Sequence, residues 1–382
     1  MKRRARMGMV GGGRGAFIGA VHRMAARLDD KIDLVCGAFS SNPEKSLETG
    51  GDLFLSKERI YGSYEEMFRQ EASLPAEERM DFVSIVAPNF MHYPVAAAAL
   101  DAGFHVVCDK PMTMTLEEAK KLQQRVRETG LLFCLTHNYT GYPMVKEARH
   151  LVSSGQIGKI RRVVVEYPQG WMALPLEAGG QKQAAWRTDP ARAGVSFTMG
   201  DIGSHCANLA EYITGLEIEE VCADLTSFVS GRALDDDGSV LLRFNEGARG
   251  VLWASGIAVG EENGLNIRIY GEKGAIEWHQ MEPNTLIVRW LDKPFQTFRT
   301  ATDFVGEVSI ANTRIPSGHP EGFIEAFANI YRNFAEALDR RLEGDQAATG
   351  DFPGVDEGVR GMAFIEAVVK SSQADSRWMH IG

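Results

Sequence analysis

Near its start the chain has a glycine-rich turn that joins a short apolar strand to a helix. Residues 7–10 are apolar or glycine, and the next nine residues contain five glycines. Glycines allow a tight turn and let backbone N–H groups at a helix N-terminus approach a phosphate. The G-x-G-x-x-G spacing starts at Gly11 and Gly13, and its third place falls on Ala16 or, three residues later, on Gly19. The turn favours a dinucleotide site over a ligand-free loop, with these candidate contacts: Gly11, Gly13, Arg14, Ala16, Phe17 and Gly19.

The first third of the chain alternates strand patterns with helix patterns. Apolar runs at 32–39, 82–87, 104–108 and 131–135 predict strands, and helices are expected at 19–28, 94–102 and 115–130. Strands that alternate with helices of this length form a parallel sheet covered on both faces. Residues 1–138 are therefore expected to form a doubly wound, dinucleotide-binding Rossmann domain.

From residue 139 onward the pattern is mainly β. Strands are expected at 162–167, 239–244, 248–254, 266–270, 275–278 and 286–290, several of them joined by short turns, and two amphipathic helices close the chain. Short turns between neighbouring strands indicate antiparallel pairing. Residues 139–382 are expected to form an α+β domain with a large, mainly antiparallel open sheet that binds substrate and forms a homodimer or homotetramer. The acidic run Asp235–Asp237 is expected to be a solvated loop rather than a metal site.

Charge and cysteine content exclude several classes of protein. The net charge of -10 argues against a nucleic-acid partner, because phosphate binding needs an excess of Lys and Arg. No apolar run reaches the roughly 20 residues that a membrane helix needs. The five cysteines are dispersed without C-x-x-C spacing, which is typical of reduced thiols in a cytoplasmic protein and not of a metal site.

The end of the second predicted strand bears on the cofactor. A site for NAD usually has Asp or Glu about 20 residues after the glycines, where the carboxylate binds the ribose 2′-hydroxyl. Here Ser40 and Ser41 occupy that region, and the next acid is Glu44. Because serines do not repel a 2′-phosphate, NADP is favoured, with NAD as the alternative.

Two further segments complete a set of three motifs. Residues 88–92 read Pro-Asn-Phe-Met-His and residues 109–111 read Asp-Lys-Pro, each after a predicted strand, while residues 201–205 read Asp-Ile-Gly-Ser-His. Over nearly its whole length the chain resembles the glucose–fructose oxidoreductase/inositol dehydrogenase family (Gfo/Idh/MocA), which has P-N-x-x-H, E-K-P and D-x-G-x-H in this order. It departs from the family in two places. Asp109 replaces a glutamate but keeps the charge, and the glycine turn is longer.

The resemblance implies a dehydrogenase that transfers hydride between a nicotinamide and a secondary alcohol of a sugar, cyclitol or related polyol. It implies that Lys110, Asp201 and His205 meet at the substrate. His205 would be the general acid/base, Asp201 would orient substrate hydroxyls or His205, and Lys110 would bridge the reacting hydroxyl and the nicotinamide ribose. The chemistry is consistent, since histidine takes up protons near neutral pH and residues four apart share a helix face. By the same resemblance, residues beside the nicotinamide are Pro88, Asn89, His92 and Asp109.

The sequence also offers further candidates for substrate contact and is compatible with two other functions. Tyr139 and the pair Trp186–Arg187 are further substrate-binding candidates, because aromatic faces stack on sugar C–H surfaces and arginine anchors polar groups. One alternative function is a cofactor-retaining lyase or glycosidase that oxidises its sugar transiently. Another is a cofactor-sensing protein without turnover, since fold does not imply function.

Overall fold

A computed structural model describes residues 3–382 and divides them into two units. The first unit contains the described residues up to Asn138 together with Phe327–Val359. The second contains Tyr139–Ala326 and Arg360–Gly382. No helix in residues 3–382 has the length and apolar character needed to cross a membrane.

The first unit is built on a five-stranded parallel sheet. Its strands are β1 (Ala5–Gly11), β2 (Ile32–Ala38), β3 (Phe82–Val86), β4 (His105–Cys108) and β5 (Phe133–Leu135). Their order is β2-β1-β3-β4-β5, and every neighbouring pair is parallel. An isolated parallel bridge joins Gly37 of β2 to Ile60. If that bridge is counted as a sixth position, the order is that of dinucleotide-binding Rossmann sheets, which confirms the predicted fold of this part.

The helices that connect these strands have ends that follow from local sequence. They are α1 (Phe17–Arg27), α2 (Pro43–Asp52), α3 (Tyr64–Ser73), α4 (His92–Asp101) and α5 (Leu116–Thr129). In α5 the Thr115 hydroxyl accepts from the Glu118 N–H at 3.2 Å, and Gly130 ends the helix in the left-handed region. A threonine N-cap and a glycine C-cap at these positions agree with the helix expected at 115–130.

The second unit is built on a nine-stranded, mainly antiparallel sheet. The remaining elements of the chain, in order, are α6 (Pro143–Ser153), β6 (Ile160–Pro168), α7 (Lys182–Arg187), α8 (Pro190–Ala193), α9 (Ser204–Thr214), β7 (Ile218–Thr226), β8 (Asp237–Phe244), β9 (Arg249–Ser255), β10 (Asn266–Gly271), β11 (Gly274–His279), β12 (Thr285–Trp290), β13 (Gln296–Arg299), α10 (Glu307–Ala311), α11 (Phe323–Leu342), α12 (Val355–Gln373) and β14 (Met379–His380). The order of the strands in the sheet is β13-β12-β11-β10-β6-β9-β8-β7-β14, and among the described residues only the pair β6–β9 is parallel. Buried and exposed residues alternate along β8, as expected for a sheet with one face on the core.

The segment Phe327–Val359 lies in the first unit, whereas the sequence analysis assigned all of residues 139–382 to the second domain. Phe334 packs edge-on against Phe82 of β3, with ring centroids 5.0 Å apart. The Leu135 N–H of β5 donates to the Pro353 carbonyl at 2.8 Å. Helical periodicity shows that α11 buries one face, but it does not show which sheet that face covers.

Candidate active site

The glycine turn has no room for side chains at its closest contacts. β1 ends at Gly11, and Gly11 and Gly12 have φ of 85° and 69°. A Cβ on Gly19 would lie 2.3 Å from the Gly12 Cα, and one on Gly13 would lie 2.7 Å from the Phe39 carbonyl oxygen. Of the two candidates for the third glycine position, Gly19 is therefore the one that packs the helix against the turn.

The N-terminus of α1 fits the pyrophosphate of a dinucleotide. Ala16 is its N-cap residue and has no side-chain oxygen, so the N–H groups of the first turn receive no side-chain cap within residues 3–382. Such a terminus carries partial positive charge and suits an anion. Phe17 is exposed at the start of the helix. The Arg14 guanidinium, a candidate dinucleotide contact, pairs with Asp52 and Glu48 of α2, both at 2.6 Å.

The substitution Gly19→Ala tests this turn. We expect the Kd for NADH to rise about 10- to 100-fold, because relieving overpacked contacts costs about 1–3 kcal/mol and must move the turn. Fluorescence titration with NADH measures the change. Gly51→Ala is the matched control, since a Cβ there meets nothing within 4 Å and alanine favours helix. An unchanged Kd in Gly19→Ala would show that the turn does not hold the cofactor.

The other predicted cofactor residues of the first unit follow the carboxyl ends of its strands. Ser40 and Ser41 follow β2, where the Ser40 hydroxyl accepts from the Asn42 N–H at 3.1 Å and Ser41 is exposed. Pro88 and Asn89 follow β3, and Asp109 and Lys110 follow β4. In doubly wound sheets ligands bind at this edge, so the structure brings the glycine turn and these segments to one edge of the sheet.

His92 links two of these segments through its imidazole. Its Nδ1 lies 2.7 Å from the Pro111 carbonyl oxygen and its Nε2 lies 2.9 Å from the Ala87 carbonyl oxygen. The side chain is buried at the first residue of α4. The contacts show a role in holding the two strand ends together, and contact between His92 and a cofactor stays a prediction.

Asp109 fixes the backbone at Lys110. Its Oδ1 accepts from the Lys110 N–H at 2.9 Å and from the Thr136 hydroxyl at 2.9 Å. His137, which follows β5, is buried close to the Lys110 ammonium. Burial first, and the Lys110 charge second, lower the pKa of His137 to about 3, so His137 is neutral at physiological pH.

In the second unit, Asp201 lies in a π-helical turn, Met199–Gly203, that leads directly into α9. This differs from the expected regular helix starting at Asp201, and such turns are frequent at functional sites. The Asp201 Oδ2 accepts from the Arg187 Nε at 2.9 Å. The Arg187 guanidinium also lies over the Trp186 ring, 4.3 Å from its centroid. Three predicted residues, Asp201, Trp186 and Arg187, are thus in one cluster.

His205, on α9, is 5% exposed and is surrounded by aromatic rings. The Tyr139 ring meets it edge-on with centroids 4.7 Å apart, and the Tyr167 ring is 6.3 Å away. The two tyrosine hydroxyls are hydrogen-bonded to each other and to the Asn263 amide, at 2.7 Å from Tyr167 and 3.2 Å from Tyr139. Burial raises the pKa of both tyrosines, which keeps the surroundings of His205 uncharged on this side.

The expectation of a solvated Asp235–Asp237 loop is wrong. Asp236 is fully buried and accepts from the N–H groups of Phe228 and Val229 at 2.8 and 3.0 Å. The Asp235 carboxylate accepts from the N–H groups of residues 197–199, at 3.0 to 3.1 Å, and so anchors the segment that leads into Asp201. A run of three acids looks solvated because sequence does not show the backbone donors that fold around it. Within residues 3–382 no group of three or more His, Cys, Asp or Glu side chains could hold a metal ion.

Several residues around these sites were missed by the sequence analysis. The Thr136 hydroxyl donates to the Asp109 carboxylate and the Asp235 carboxylate accepts from backbone N–H groups, and no motif marks either residue. Tyr167 could have been found, because it falls on a buried position of an alternating strand and carries a polar group. Asn263 lies in a loop and gave no signal.

Comparisons with known proteins identify the family to which both parts of the chain belong. Residues 5–139 match the family described as "Oxidoreductase family, NAD-binding Rossmann fold", and residues 145–277 match the "GFO/IDH/MocA C-terminal domain". The uncharacterized oxidoreductase YfiI of Bacillus subtilis (strain 168) is 36% identical over 381 residues, covering 98% of this chain and 96% of that protein.

Two solved structures from Azotobacter vinelandii are also similar over their full length. Both are described as an inositol dehydrogenase homologue. One, complexed with NAD+, has a TM-score of 0.94 at 35% identity and covers 99% of this chain and 97% of that chain. The other, complexed with NADH and myo-inositol, has a TM-score of 0.92 at 34% identity and covers 99% and 98%. Family models over both parts of the chain, full-length relatives and the strand-end motifs lead to one conclusion: this chain is an oxidoreductase of the Gfo/Idh/MocA family with an NAD-binding Rossmann domain.

Proposed function

We propose that the chain is an NAD(P)-dependent dehydrogenase that oxidises a secondary alcohol of a sugar, cyclitol or related polyol. The observation that carries the proposal is the position of Lys110 at the same sheet edge as the glycine turn. In this class of sheet, dinucleotides bind beside the carboxyl ends of the strands, so Lys110 would lie next to the bound cofactor. The Azotobacter vinelandii relative, complexed with NADH and myo-inositol, supports the substrate class.

The first unit would hold the cofactor. The Gly11–Gly19 turn and the α1 N-terminus would bind the pyrophosphate, Ser40 and Ser41 the adenosine ribose, and Pro88 and Asn89 the nicotinamide end. When bound, the nicotinamide supplies the hydride acceptor. The protein's own part is to bind the dinucleotide, to orient the alcohol and to move its hydroxyl proton.

Three side chains would act on the substrate. His205 would take the hydroxyl proton on its imidazole, as a general base does in alcohol oxidation. The Lys110 ammonium would donate a hydrogen bond to the oxygen on which negative charge develops. Asp201, with its charge balanced by Arg187 at 2.9 Å, would accept from a neighbouring substrate hydroxyl. Tyr139 would contribute mainly by fixing the His205 ring, since its own hydroxyl is engaged with Tyr167 and Asn263.

We propose that NADP is the preferred cofactor. Ser40 and Ser41 lie where NAD-binding proteins carry an acidic residue, and serine hydroxyls, unlike a carboxylate, do not repel a 2′-phosphate.

We further propose that residues 139–326 supply the substrate half and that the nine-stranded sheet forms a homodimer or homotetramer interface. Leu241 and Tyr270, apolar or aromatic side chains on its strands, are 48% and 41% exposed. Five free cysteines are consistent with a cytoplasmic location.

A panel of polyols and sugars, run with NAD+ and with NADP+, tests the function. We expect reduced nicotinamide to appear with at least one cyclitol or sugar, and kcat/KM to be higher with NADP+. A higher value with NAD+ would overturn the cofactor preference alone. Tightly bound cofactor that never exchanges, together with elimination or hydrolysis and no net redox change, would instead establish the lyase or glycosidase. Binding without any turnover would establish the sensing role.

A further inference from the structure

A buried polar cluster lies beside Asp109 in the first unit, and the proposed mechanism does not use it. The cluster consists of His22 of α1, Ser84 of β3 and Tyr331 of α11, and we call it the His22 cluster. The three side chains are at most 1% exposed. The Tyr331 hydroxyl oxygen is 2.7 Å from the His22 Nδ1 and 2.8 Å from the Ser84 Oγ. Polar groups this deeply buried need partners, and these groups supply one another's.

The His22 Nε2 is the exception, and it faces Asp109. This nitrogen has no hydrogen-bond partner within residues 3–382, and it lies 3.9 Å from the Asp109 Oδ2. The distance is longer than a hydrogen bond, so the contact is electrostatic, in a region where little water screens it. Burial lowers the pKa of His22 to about 4, which makes the imidazole neutral at physiological pH. Only one of its two nitrogens then carries a proton.

The partners of the ring determine which nitrogen carries that proton. If Ser84 donates to the Tyr331 oxygen and Tyr331 donates to Nδ1, both hydroxyls are satisfied and the proton is on Nε2. An N–H then faces the carboxylate of Asp109. The opposite tautomer would place the Nε2 lone pair against a carboxylate inside the protein, an arrangement that is repulsive at low dielectric. The Nε2–H tautomer is therefore the one that this packing stabilises.

The Asp109 carboxylate connects the His22 ring to the backbone of Lys110. Its Oδ2 faces His22, while its Oδ1 accepts from the Lys110 N–H and from the Thr136 hydroxyl, both at 2.9 Å. The Asp109 side chain is 16% exposed, so it has little access to water as an alternative partner. A carboxylate whose Oδ1 accepts two hydrogen bonds and whose Oδ2 faces the His22 ring keeps the backbone of Lys110 in one conformation.

We infer that His22 is a positioning residue for Lys110: its Nε2–H orients the Asp109 carboxylate, and that carboxylate fixes the Lys110 backbone. The inference rests on the role proposed above for Lys110. It gives a function to a histidine on the buried face of α1 and to the hydroxyls of Ser84 and Tyr331. A neutral N–H in this position orients the carboxylate without cancelling its charge.

The tautomer can be measured without turnover. We expect the protein labelled with ¹⁵N-histidine and free of cofactor to show His22 in the Nε2–H form, assigned by the signal that His22→Gln removes. In Tyr331→Phe the hydroxyl 2.7 Å from Nδ1 is lost, and we expect the Nδ1–H form, which can donate to the Ser84 Oγ 3.4 Å away, to appear beside the first. A His22 signal of the Nδ1–H form or of the imidazolium in the unmodified chain would overturn the inference.

The kinetic test compares two substitutions of similar size. His22→Gln keeps an N–H that can face Asp109, and His22→Leu does not. We expect kcat to fall on the order of 10- to 100-fold in His22→Leu, with the Kd for NADH within about threefold, and we expect His22→Gln to recover most of the loss. Tyr61→Phe is the control, because it removes another buried tyrosine hydroxyl of the first unit, one bonded to Glu71 at 2.8 Å.

The possible outcomes separate the two proposals. Equal losses in His22→Leu and His22→Gln, or a matching loss in Tyr61→Phe, would show that the cluster serves folding only and would overturn the inference. If the unmodified chain oxidises no polyol, the dehydrogenase proposal fails, and the ¹⁵N measurement still decides whether the Nε2–H faces Asp109.

Discussion

Replacing His205 with asparagine is expected to lower kcat about 100- to 10,000-fold in polyol oxidation, the range for loss of a general acid/base. Asparagine is neutral and smaller than histidine, so it fits beside the Tyr139 and Tyr167 rings without adding a charge. It cannot take up the hydroxyl proton, however. The loss should fall on kcat rather than on the Kd for NADH, because the residues that we propose to bind the cofactor lie in the first unit and His205 lies in the second.

The pH dependence of kcat/KM gives this prediction a second readout. A general base that must be unprotonated produces a limb at acidic pH, and that limb should flatten in His205→Asn. His319→Asn is the matched control, since His319 is an exposed histidine of the second unit whose Nδ1 is 3.1 Å from the Pro316 carbonyl oxygen. A His205→Asn variant that keeps wild-type kcat and the acidic limb would show that another group removes the proton.

The fold could be predicted largely from sequence because its signals are local. The sequence predicted β2 to within one residue and the helix α5 to within one residue at each end. The helix α2 was not predicted, because Ser40, Ser41, Asn42 and Pro43, which follow the second predicted strand, are also typical turn residues. Asn42 is in fact its N-cap, accepting from the Lys45 N–H at 3.0 Å, and Pro43 is its first residue. Helix caps and turns use the same residue types. The helix that follows Asn42 has few apolar residues, so its sequence did not show that Asn42 begins a helix and not a turn.

The candidate site could be predicted only where a motif marks it. Lys110 and Asp201 were predicted because each belongs to a short motif. The Lys110 motif follows a predicted strand, and in the Asp201 motif the acid and the histidine are four residues apart. The residues that hold them in place were not visible, because they act across long sequence separations. Tyr331 is 309 residues from His22, and Asp235 is 36 residues from the Met199 N–H that it accepts from. No periodicity or spacing predicts such pairs, which depend on how whole elements pack.

Replacing Lys110 with methionine is the second large effect that we expect, with kcat lower by about 100- to 1,000-fold. Methionine keeps the length and much of the apolar stem of lysine but has no N–H donor. The developing negative charge on the substrate oxygen then loses its hydrogen bond within a partly desolvated site, where such donors contribute most. The Kd for NADH should change little, because the pyrophosphate contacts proposed above come from the glycine turn and the α1 N-terminus.

Comparison with two further variants shows which property of Lys110 matters. Lys110→Arg keeps the positive charge but replaces a compact ammonium with a planar fork, so it should recover only part of kcat if the donor must lie at one point. Lys121→Met is the control, an exposed lysine of α5 that pairs with Glu117 at 2.6 Å. If Lys110→Met lost cofactor binding and kept kcat at saturating cofactor, Lys110 would be a binding residue alone. If Lys110→Arg were fully active, charge would be sufficient, and the fixed backbone that Asp109 provides would have no kinetic purpose.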